Sequence, residues 1–362
     1  MLKVAIVGCG KIADSHASEI QEIAGCEIVG VCDNEELMAK QLYDRFPVKK
    51  YYSNLDQLLD EARPDVVHVT TPPKTHFSIG MKCLEAGCHT YIEKPFTLHM
   101  EETEKILDLA NRTGRKVTVG HDGQFSVVAR RMRKLISDGY LGEAPVHMDS
   151  FWCYDLGDAV YAKALLDDKK HWARTMPGGL LHNIISHGVS KIAEHFTSEN
   201  PRVIAHGFVS PFLKNLGEQV LVDELRTIIS EEQGTTAYFT FSTQMKPSLH
   251  QFSIYGHQNG IMIDEDKRLL IKLHGNNYKS YAEHFIPPVK FARQYLSNFV
   301  HNTRLFLAKD FHMDVGKKYL IESFYRSITG GALVPIPYRE ILLTSRIMDS
   351  IFEQIKPEHS CS

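Results

Sequence analysis

Apolar and amphipathic stretches alternate along the first third of the chain. Short apolar runs rich in β-branched residues predict buried strands at 3–7, 27–32, 65–70, 88–92 and 116–119. Between these runs the apolar residues recur at helical spacing, and a proline or glycine ends several of the stretches. Strands that alternate with helices are typical of a doubly wound parallel sheet, so we predict an α/β domain over residues 1–121.

The pattern changes after residue 121. A basic amphipathic helix at 125–137, a strand at 144–154 and a helix at 180–196 precede six strand-like segments between 203 and 273. Such a run is typical of an open, largely antiparallel sheet. Helices at 289–306, 315–328 and 338–355 close the chain. We therefore predict a second α/β domain over 122–362, for substrate binding and oligomerisation, with the option that its final helices pack back on the first domain.

One of the closing helices carries a long apolar face. Phe291, Tyr295, Phe299 and Val300 share that face, beside basic residues. We interpret the face as a core or subunit contact, with binding to a membrane surface as the alternative.

Composition and charge indicate an ordinary globular protein. The 362 residues include 43% hydrophobic and 23% charged residues, and the formal net charge is -3, which does not favour nucleic acid or an anionic membrane as a partner. The seven cysteines form no CxxC pair, which favours free thiols in a reducing compartment. Since the first strand begins at about residue 2, we expect no signal peptide and a cytoplasmic location.

The first predicted strand runs directly into a glycine turn. Gly8 allows the tight turn, Gly10 allows a pyrophosphate to approach, and Ala13 fills the third small position. The second strand ends at Asp33, roughly twenty residues further on, where a carboxylate receives ribose hydroxyls. The pattern predicts a dinucleotide site, with a glycine turn in some other doubly wound domain as the alternative.

A lysine follows the predicted strand at 88–92. Lys94 precedes Pro95, which favours an extended backbone and lets the ammonium project from the carboxyl edge of the sheet, and Glu93 can orient it. Ligands bind at this edge of doubly wound sheets. A solvated lysine at a strand end is the alternative.

A second group of polar residues follows Gly178 and Gly179. In the predicted helix Asn183 and His187 are four residues apart and share one face. A histidine can take the hydroxyl proton of an alcohol near neutral pH while hydride leaves the same carbon. The alternatives are a structural histidine and a zinc site of His182, His187 and His195, whose spacing matches no common ligand pattern.

These pieces together resemble the glucose-fructose oxidoreductase, inositol dehydrogenase and MocA family (Gfo/Idh/MocA). The resemblance is carried by four segments: 8–13 with His16, Thr71-Pro72 with His76, Glu93-Lys94-Pro95, and Gly178 through His187. It implies a Rossmann domain joined to an α/β domain with a large open sheet, often the oligomer interface, and hence a homodimer or homotetramer. It also implies oxidation or reduction of a sugar or cyclitol carbinol with NAD(P).

The resemblance also assigns roles to residues. Lys94 and His187 match the family's lysine and histidine that hold the reacting hydroxyl, the histidine being usually proposed as the base. The implied cofactor-binding residues are Gly8, Gly10, Lys11, Ile12, Asp33, Thr70, Thr71, Pro72, His76, Glu93 and Lys94. The implied substrate-binding residues are Lys94, Asp122, Trp172, Arg174, Asn183 and His187. For Arg174, a surface ion pair is the alternative.

Two departures from the family pattern change what we expect. The family commonly has an aspartate where this chain has Asn183, so proton transfer can depend more on Lys94 or on an acid such as Asp155 or Asp158. Many members carry asparagine and arginine in place of Asp122 and Gln124, so contacts around the nicotinamide can differ.

The resulting interpretation is an NAD(P)-dependent oxidoreductase without a metal, acting on a sugar-like substrate. Asp33 favours NAD, because a carboxylate repels a 2'-phosphate and the neighbouring residues supply no arginine. NADP remains possible. Two alternatives stay open: a glycoside hydrolase that uses NAD transiently, and a non-catalytic dinucleotide-binding sensor.

Overall fold

The computed structural model describes residues 1–154, 168, 171–232, 234–275, 278–279, 281–308, 311 and 315–355. The chain forms two compact units, one of Met1–Asp122 with Lys317–Arg346 and one of Gly123–Gly316 with Ile347–Ser362. The segment 317–346, which our sequence-based boundaries place in the second domain, groups with the first unit in this division.

The first unit is built on a six-stranded parallel sheet in the order β3-β2-β1-β4-β5-β6. Its strands are β1 (Leu2–Val7), β2 (Cys26–Cys32), β3 (Tyr51–Tyr52), β4 (Val66–Val69), β5 (His89–Ile92) and β6 (Val117–Val119). Its helices begin with α1 (Lys11–Gln21), α2 (Glu36–Arg45), α3 (Leu55–Ala62), α4 (His76–Glu85) and α5 (Met100–Thr113). This sheet confirms the predicted doubly wound fold.

The central strands are buried on both faces, as their valine-rich sequences predict. Val4, Ile6, Val67 and Val69 have 4% exposure or less in neighbouring strands β1 and β4. Because these strands run in one direction, they end together, and the residues that follow them meet at the carboxyl edge of the sheet.

The second unit contains a seven-stranded sheet in the order β13-β12-β11-β7-β10-β9-β8, in which only the β7 and β10 pair is parallel. The strands are β7 (His147–Cys153), β8 (Arg202–Phe208), β9 (Glu224–Ser230), β10 (Thr236–Ser242), β11 (Leu249–Tyr255), β12 (Asn259–Asp264) and β13 (Leu269–His274). The helices after α5 are α6 (Val127–Ser137), α7 (Gly179–Ile184), α8 (Ser186–His195), α9 (Pro211–Asn215), α10 (Ala282–Leu307), α11 (Val315–Gly330) and α12 (Tyr338–Gln354). The prediction of an open, mostly antiparallel sheet is confirmed.

The two faces of this second sheet differ. Helix α8 packs on one face so closely that a Cβ on Gly188 would lie 2.3 Å from the Phe239 ring. The opposite face exposes large apolar side chains at cross-strand positions, with Ile204, Ile228 and Tyr238 each 45–50% exposed.

Side-chain amides cover both edges of the second sheet. Along β13, Asn298 accepts from the Leu270 N–H at 3.1 Å and donates to the Leu270 carbonyl at 2.9 Å. Along β8, Gln354 accepts from the Ala205 N–H at 2.9 Å and donates to the Val203 carbonyl at 3.0 Å. Each amide thus pairs with strand backbone as another strand would, which blocks an edge that could recruit a foreign strand.

Some predicted elements differ from the structure. The predicted helix at 180–196 is two helices, because the Ile185 carbonyl accepts from both Gly188 and Val189 and tightens the turn there. The strand predicted at 144–154 is limited to His147–Cys153. Helix α6 starts at Val127 rather than 125, since Ser126 caps it by accepting from the Ala129 N–H.

The apolar face predicted in the helix at 289–306 is not core within the second unit. Helix α10 is longer than predicted, and Tyr295, Phe299 and Val300 are 39–66% exposed. Its buried residue is Asn298, on the edge of β13. Among the described residues no helix is both long and apolar enough to cross a membrane.

Candidate functional site

The glycine turn has the geometry that a pyrophosphate needs. Gly8 has φ +95°, and a Cβ there would lie 2.6 Å from the Thr71 nitrogen, so both the backbone angle and the close approach require glycine. Gly10 precedes helix α1 with φ -76°, and a Cβ on it would meet nothing within 4 Å. The space beside Gly10 therefore opens onto the start of α1, where Lys11 and Ile12 are exposed.

Asp33 connects the glycine turn to the end of β2. Its carboxylate accepts from the Cys9 N–H at 2.7 Å and from the Glu35 N–H at 2.9 Å. Two amides fix its orientation while lone pairs remain for further donors, since an ionised carboxylate has about four acceptor sites. This arrangement fits a ribose diol at Asp33.

The loop after β4 is tied to both of its neighbours. Thr70 donates its hydroxyl to the Gly8 carbonyl at 2.6 Å, and Pro72 precedes a single 3-10 turn at Pro73–Thr75. The fully buried His76 has its Nε2 2.8 Å from the Thr71 carbonyl and its Nδ1 2.8 Å from the Pro95 carbonyl. Within this unit His76 thus joins two loops at the predicted cofactor edge.

Lys94 stands at the end of β5, as predicted, and its peptide bond to Pro95 is cis. Burial lowers the pKa of the Lys94 ammonium from its ordinary value of 10.5, and the charge of Lys317 lowers it further, while Glu93 and Asp122 oppose that change. A lysine with a lowered pKa at a sheet edge can both stabilise an oxyanion and exchange a proton.

Glu93 is 6% exposed and does not face solvent. Its Oε1 lies 2.8 Å from His16 Nε2, and its Oε2 accepts from the Lys94 N–H at 3.1 Å. Burial would raise the pKa of this carboxyl, but the hydrogen bond and charge of His16, with Lys317 and Lys94, hold it well below its usual range. Glu93 is therefore ionised, and it contacts the backbone of Lys94.

The second unit supplies the segment from Gly178 to His187. A Cβ on Gly178 would lie 2.2 Å from the Phe352 ring, and Gly179 has φ +54°, so each glycine is needed for a different reason. The buried His182 stacks on Phe352 at 4.7 Å. Asn183 is half-buried at the end of α7.

His187 lies in the first turn of α8 and stacks on Trp152, with ring centroids 5.0 Å apart and an interplanar angle of 19°. Lys191, one helical turn later, lies over the same Trp152 ring at 4.8 Å and forms an ion pair with Glu265 at 2.5 Å. The indole thus orients His187 while it keeps the imidazole half-buried.

The remaining substrate candidates separate into different environments. Arg174 forms an ion pair with Glu218 at 2.8 Å, as the alternative interpretation expects. A role of Arg174 in anion binding stays a prediction. Gln124 donates to Glu194 at 3.1 Å, which makes it a support for α8. Asp122 is half-buried at the end of the first unit. The side chain of Trp172, and Asp155 and Asp158, lie outside the described residues.

Metal binding finds no support in the described ranges. No group of three His, Cys, Asp or Glu side chains there is arranged to hold a metal ion. His195 stacks on Phe252, and burial lowers its pKa, which indicates a packed ring.

Sequence reasoning missed several polar residues near these positions. Trp152 follows Met148 and Ser150 on the inward face of β7, and that alternation could have placed it beside α8. His68, Tyr325 and Lys317 are buried near Glu93, but no local pattern connects residues so far apart in sequence.

Comparisons with known proteins show which family model and which proteins this chain resembles. The family described as "Oxidoreductase family, NAD-binding Rossmann fold" (Gfo/Idh/MocA) matches residues 2–121. D-glucoside 3-dehydrogenase of Escherichia coli (strain K12) is 32% identical over 39% of this chain and 41% of its own length. The scyllo-inositol 2-dehydrogenase (NAD(+)) of Bacillus subtilis (strain 168) is 25% identical over 64% of this chain and 65% of its own length.

A solved structure extends the likeness to the whole fold. The WlbA dehydrogenase from Bordetella pertussis, in complex with NADH and UDP-GlcNAcA, has a TM-score of 0.76 at 14% identity over 98% of this chain and 95% of its own. At that identity the likeness concerns the fold. This chain spans less than two thirds of the length of the two curated relatives named above.

The family match covers the glycine turn, Asp33, the Thr71 loop and Lys94, the same residues whose geometry fits a dinucleotide. Residues 2–121 match the model of the Gfo/Idh/MocA oxidoreductase family with its NAD-binding Rossmann fold, which confirms the predicted resemblance over that part of the chain.

Proposed function

We propose that this protein is an NAD-dependent dehydrogenase or reductase that acts on a CH–OH group of a sugar, cyclitol or sugar derivative. The observation that carries the proposal is the cradle in the first unit: open space at Gly10 and an oriented carboxylate at Asp33 beside the same turn. Lys94 follows strand β5 at the carboxyl edge of the same sheet. The dehydrogenases named among the relatives support the substrate class.

The cradle fits the group that the family binds. Amides at the start of α1 would hold the pyrophosphate, and Asp33 would hold the adenosine ribose. When bound, the nicotinamide supplies the acceptor or donor of hydride. Protein side chains position the substrate, stabilise the developing charge and move the proton.

We assign the proton chemistry to Lys94 and His187. The Lys94 ammonium stabilises the negative charge that develops on the reacting oxygen. His187, oriented by Trp152, accepts the hydroxyl proton, and Asn183 positions the hydroxyl. An amide at residue 183 cannot raise the basicity of His187 as a carboxylate would, so more of the charge stabilisation falls on Lys94.

The activity test is a panel of sugars, cyclitols and nucleotide sugars with NAD, read as NADH absorbance. Lys94→Ala should lower kcat/KM by ~10³-fold or more, because it removes a charge made useful in the transition state. NADH binding should stay near normal. The matched control is Lys105→Ala, an exposed lysine of α5. Full turnover in Lys94→Ala would exclude the assigned role.

Cofactor choice has its own test. Asp33→Asn keeps an acceptor oxygen but removes the charge, so the ratio of kcat/KM for NADP to that for NAD should rise by ~10-fold or more. If the unaltered protein already prefers NADP, the assignment of NAD is wrong.

The two alternatives give different results in the same assays. Release of phenol from aryl glycosides without net NADH would indicate an NAD-dependent glycoside hydrolase. Tight NADH binding with no turnover of any substrate would indicate a sensor.

We also propose a homo-oligomer that covers the exposed face of the second sheet. Ile228 and Tyr238 are cross-strand partners on that face and remain 45% and 50% exposed. An apolar patch of this kind marks a protein interface. Tyr238→Lys should reduce the molar mass measured by light scattering, whereas an unchanged mass would place the interface elsewhere. A cytoplasmic location remains our proposal as well.

A further inference from the structure

A line of buried polar side chains extends from Glu93 away from the reactive edge. His16 Nδ1 lies 2.8 Å from His68 Nδ1, and His68 Nε2 lies 2.7 Å from the Tyr325 hydroxyl. Both histidines are 0% exposed, and Tyr325 is 4% exposed. The line thus joins four titratable groups from α1, β4, α11 and the end of β5 within one unit.

We propose that His16, His68 and Tyr325 form a hydrogen-bonded chain whose single exchangeable proton sets the net charge of the His16 and Glu93 pair next to Lys94. His68, at the centre of the chain, is the positioning residue. This inference deepens the proposed function and rests on it for its catalytic consequence, because Lys94 is the residue proposed to hold the reacting oxygen.

The hydrogen bonds between these side chains can run in either of two directions. In one, His16 is an imidazolium that donates from Nε2 to Glu93 and from Nδ1 to His68, and His68 donates from Nε2 to Tyr325. In the other, Tyr325 donates to His68 Nε2, His68 donates from Nδ1 to His16, and neutral His16 donates from Nε2 to Glu93. The two directions differ by one proton, which resides on His16 in the first.

That proton changes what Lys94 experiences. When His16 is an imidazolium, the charge of Glu93 is compensated and the Lys94 ammonium receives less support. When His16 is neutral, the Glu93 charge favours the ammonium. The other groups that face this cluster are Lys317, Asp122, Tyr91, His76, His121 and Cys26, of which Lys317 is a buried cation 3.0 Å from the Ser15 hydroxyl.

A buried carboxylate needs a compensating charge, so we assign the first direction to the working protein near neutral pH. Burial and the charge of His16 keep the pKa of His68 well below its ordinary value, so His68 stays neutral and relays the hydrogen bond in either direction.

The test is the pKa of the Lys94 amine, measured by competitive labelling with an amine-reactive reagent across pH and peptide mass spectrometry. His68→Val deprives the His16 imidazolium of its acceptor, and an unpartnered charged N–H is costly, so His16 becomes neutral. The pKa of Lys94 should rise by about one unit, the lower end of what a charge ~4–6 Å away produces. Tyr325→Phe should shift it in the same direction by less.

The matched control is Tyr91→Phe. The Tyr91 ring stacks on His68 at 4.7 Å, but its hydroxyl has no hydrogen-bond partner among the described residues. This variant removes one oxygen beside the chain without breaking it, so the pKa of Lys94 should not move.

The outcomes separate this inference from the proposed function. If the pKa of Lys94 is unchanged in His68→Val, or in Tyr325→Phe where the first variant fails to fold, the chain is only structural and the inference is overturned. If the pKa rises but no sugar or cyclitol is oxidised, the inference stands and the proposed function fails. If the enzyme is active, the alkaline limb of kcat/KM should move to higher pH together with the pKa of Lys94.

Discussion

At the scale of single residues, the two glycines of the amino-terminal turn do different work. Gly8 is required by its own fold, because a side chain would need a positive φ and would strike the Thr71 backbone. Gly10 has an ordinary φ and open space around it. Its lack of a side chain therefore matters to a ligand rather than to the chain.

This difference gives a paired prediction. Gly8→Ala should lower the free energy of unfolding by ~2 kcal/mol or more, because strain in an αL backbone alone costs ~1–3 kcal/mol. Gly10→Ala should leave stability within ~0.5 kcal/mol but weaken NADH binding by ~10-fold or more. Urea unfolding and NADH fluorescence titration measure the two effects, and equal losses of stability would contradict the assignment.

The positions of residues that directly follow a strand could be predicted from the local sequence. Gly8, Asp33 and Lys94 each follow a strand that its own composition identifies, so their places at one sheet edge follow from strand direction. The chain of His16, His68 and Tyr325 could not be predicted in this way. His68 and Tyr325 are 257 residues apart, and His68 replaces an apolar residue in a valine-rich strand without any local signal.

At the scale of elements, the open sheet was predicted from strand alternation, but the covering of its edges was not. The sequence pattern predicts a core or subunit contact for the apolar stripe of α10, whereas the residues of α10 that pair with the edge strand are polar, Gln294 and Asn298. A polar side chain does not contribute to an apolar pattern, so only the packed structure shows that these amides pair with strand backbone.

The anchor gives a second stability prediction. Asn298→Ala should cost ~1–3 kcal/mol, because it leaves the Leu270 N–H and carbonyl unpaired at a buried edge. The matched control is Asn302→Ala, one turn later, whose single backbone hydrogen bond is exposed. We expect the control to change stability by less than ~0.5 kcal/mol in urea unfolding. Equal effects of the two substitutions would show that the edge contact is unimportant.

At the scale of the whole molecule, buried histidines make the stability depend on acid. Burial lowers the pKa values of four histidines of the first unit, to about 3 for His121 and about 4 for His89. The other two are His68 and His76. For His89 the cause is also visible in the geometry, since its Nδ1 accepts from the Lys116 N–H at 2.9 Å.

The sign of the effect follows from the direction of these shifts. The unfolded chain takes up protons at a pKa of about 6.5, whereas the folded chain does so only at much lower pH. The stability that these four histidines contribute is therefore complete above pH ~6.5 and falls on acidification, by ~1.4 kcal/mol per pH unit for each of them. Urea unfolding between pH 7.5 and 5 measures the slope. His121→Gln should reduce the slope by the equivalent of about one proton taken up on unfolding. An unchanged slope would contradict the low pKa assigned to His121.

The amide pairings along the two sheet edges also bear on how the protein ages. Hydrolysis of a side-chain amide to a carboxylate replaces its nitrogen donor with an oxygen acceptor. At Asn298 that oxygen would face the Leu270 carbonyl oxygen, so two acceptors would meet without a donor between them. The same conversion at Gln354 would turn a carboxylate toward the Val203 carbonyl. Slow deamidation during storage would thus weaken the cover of a sheet edge, and older preparations should form fibrils sooner than fresh ones.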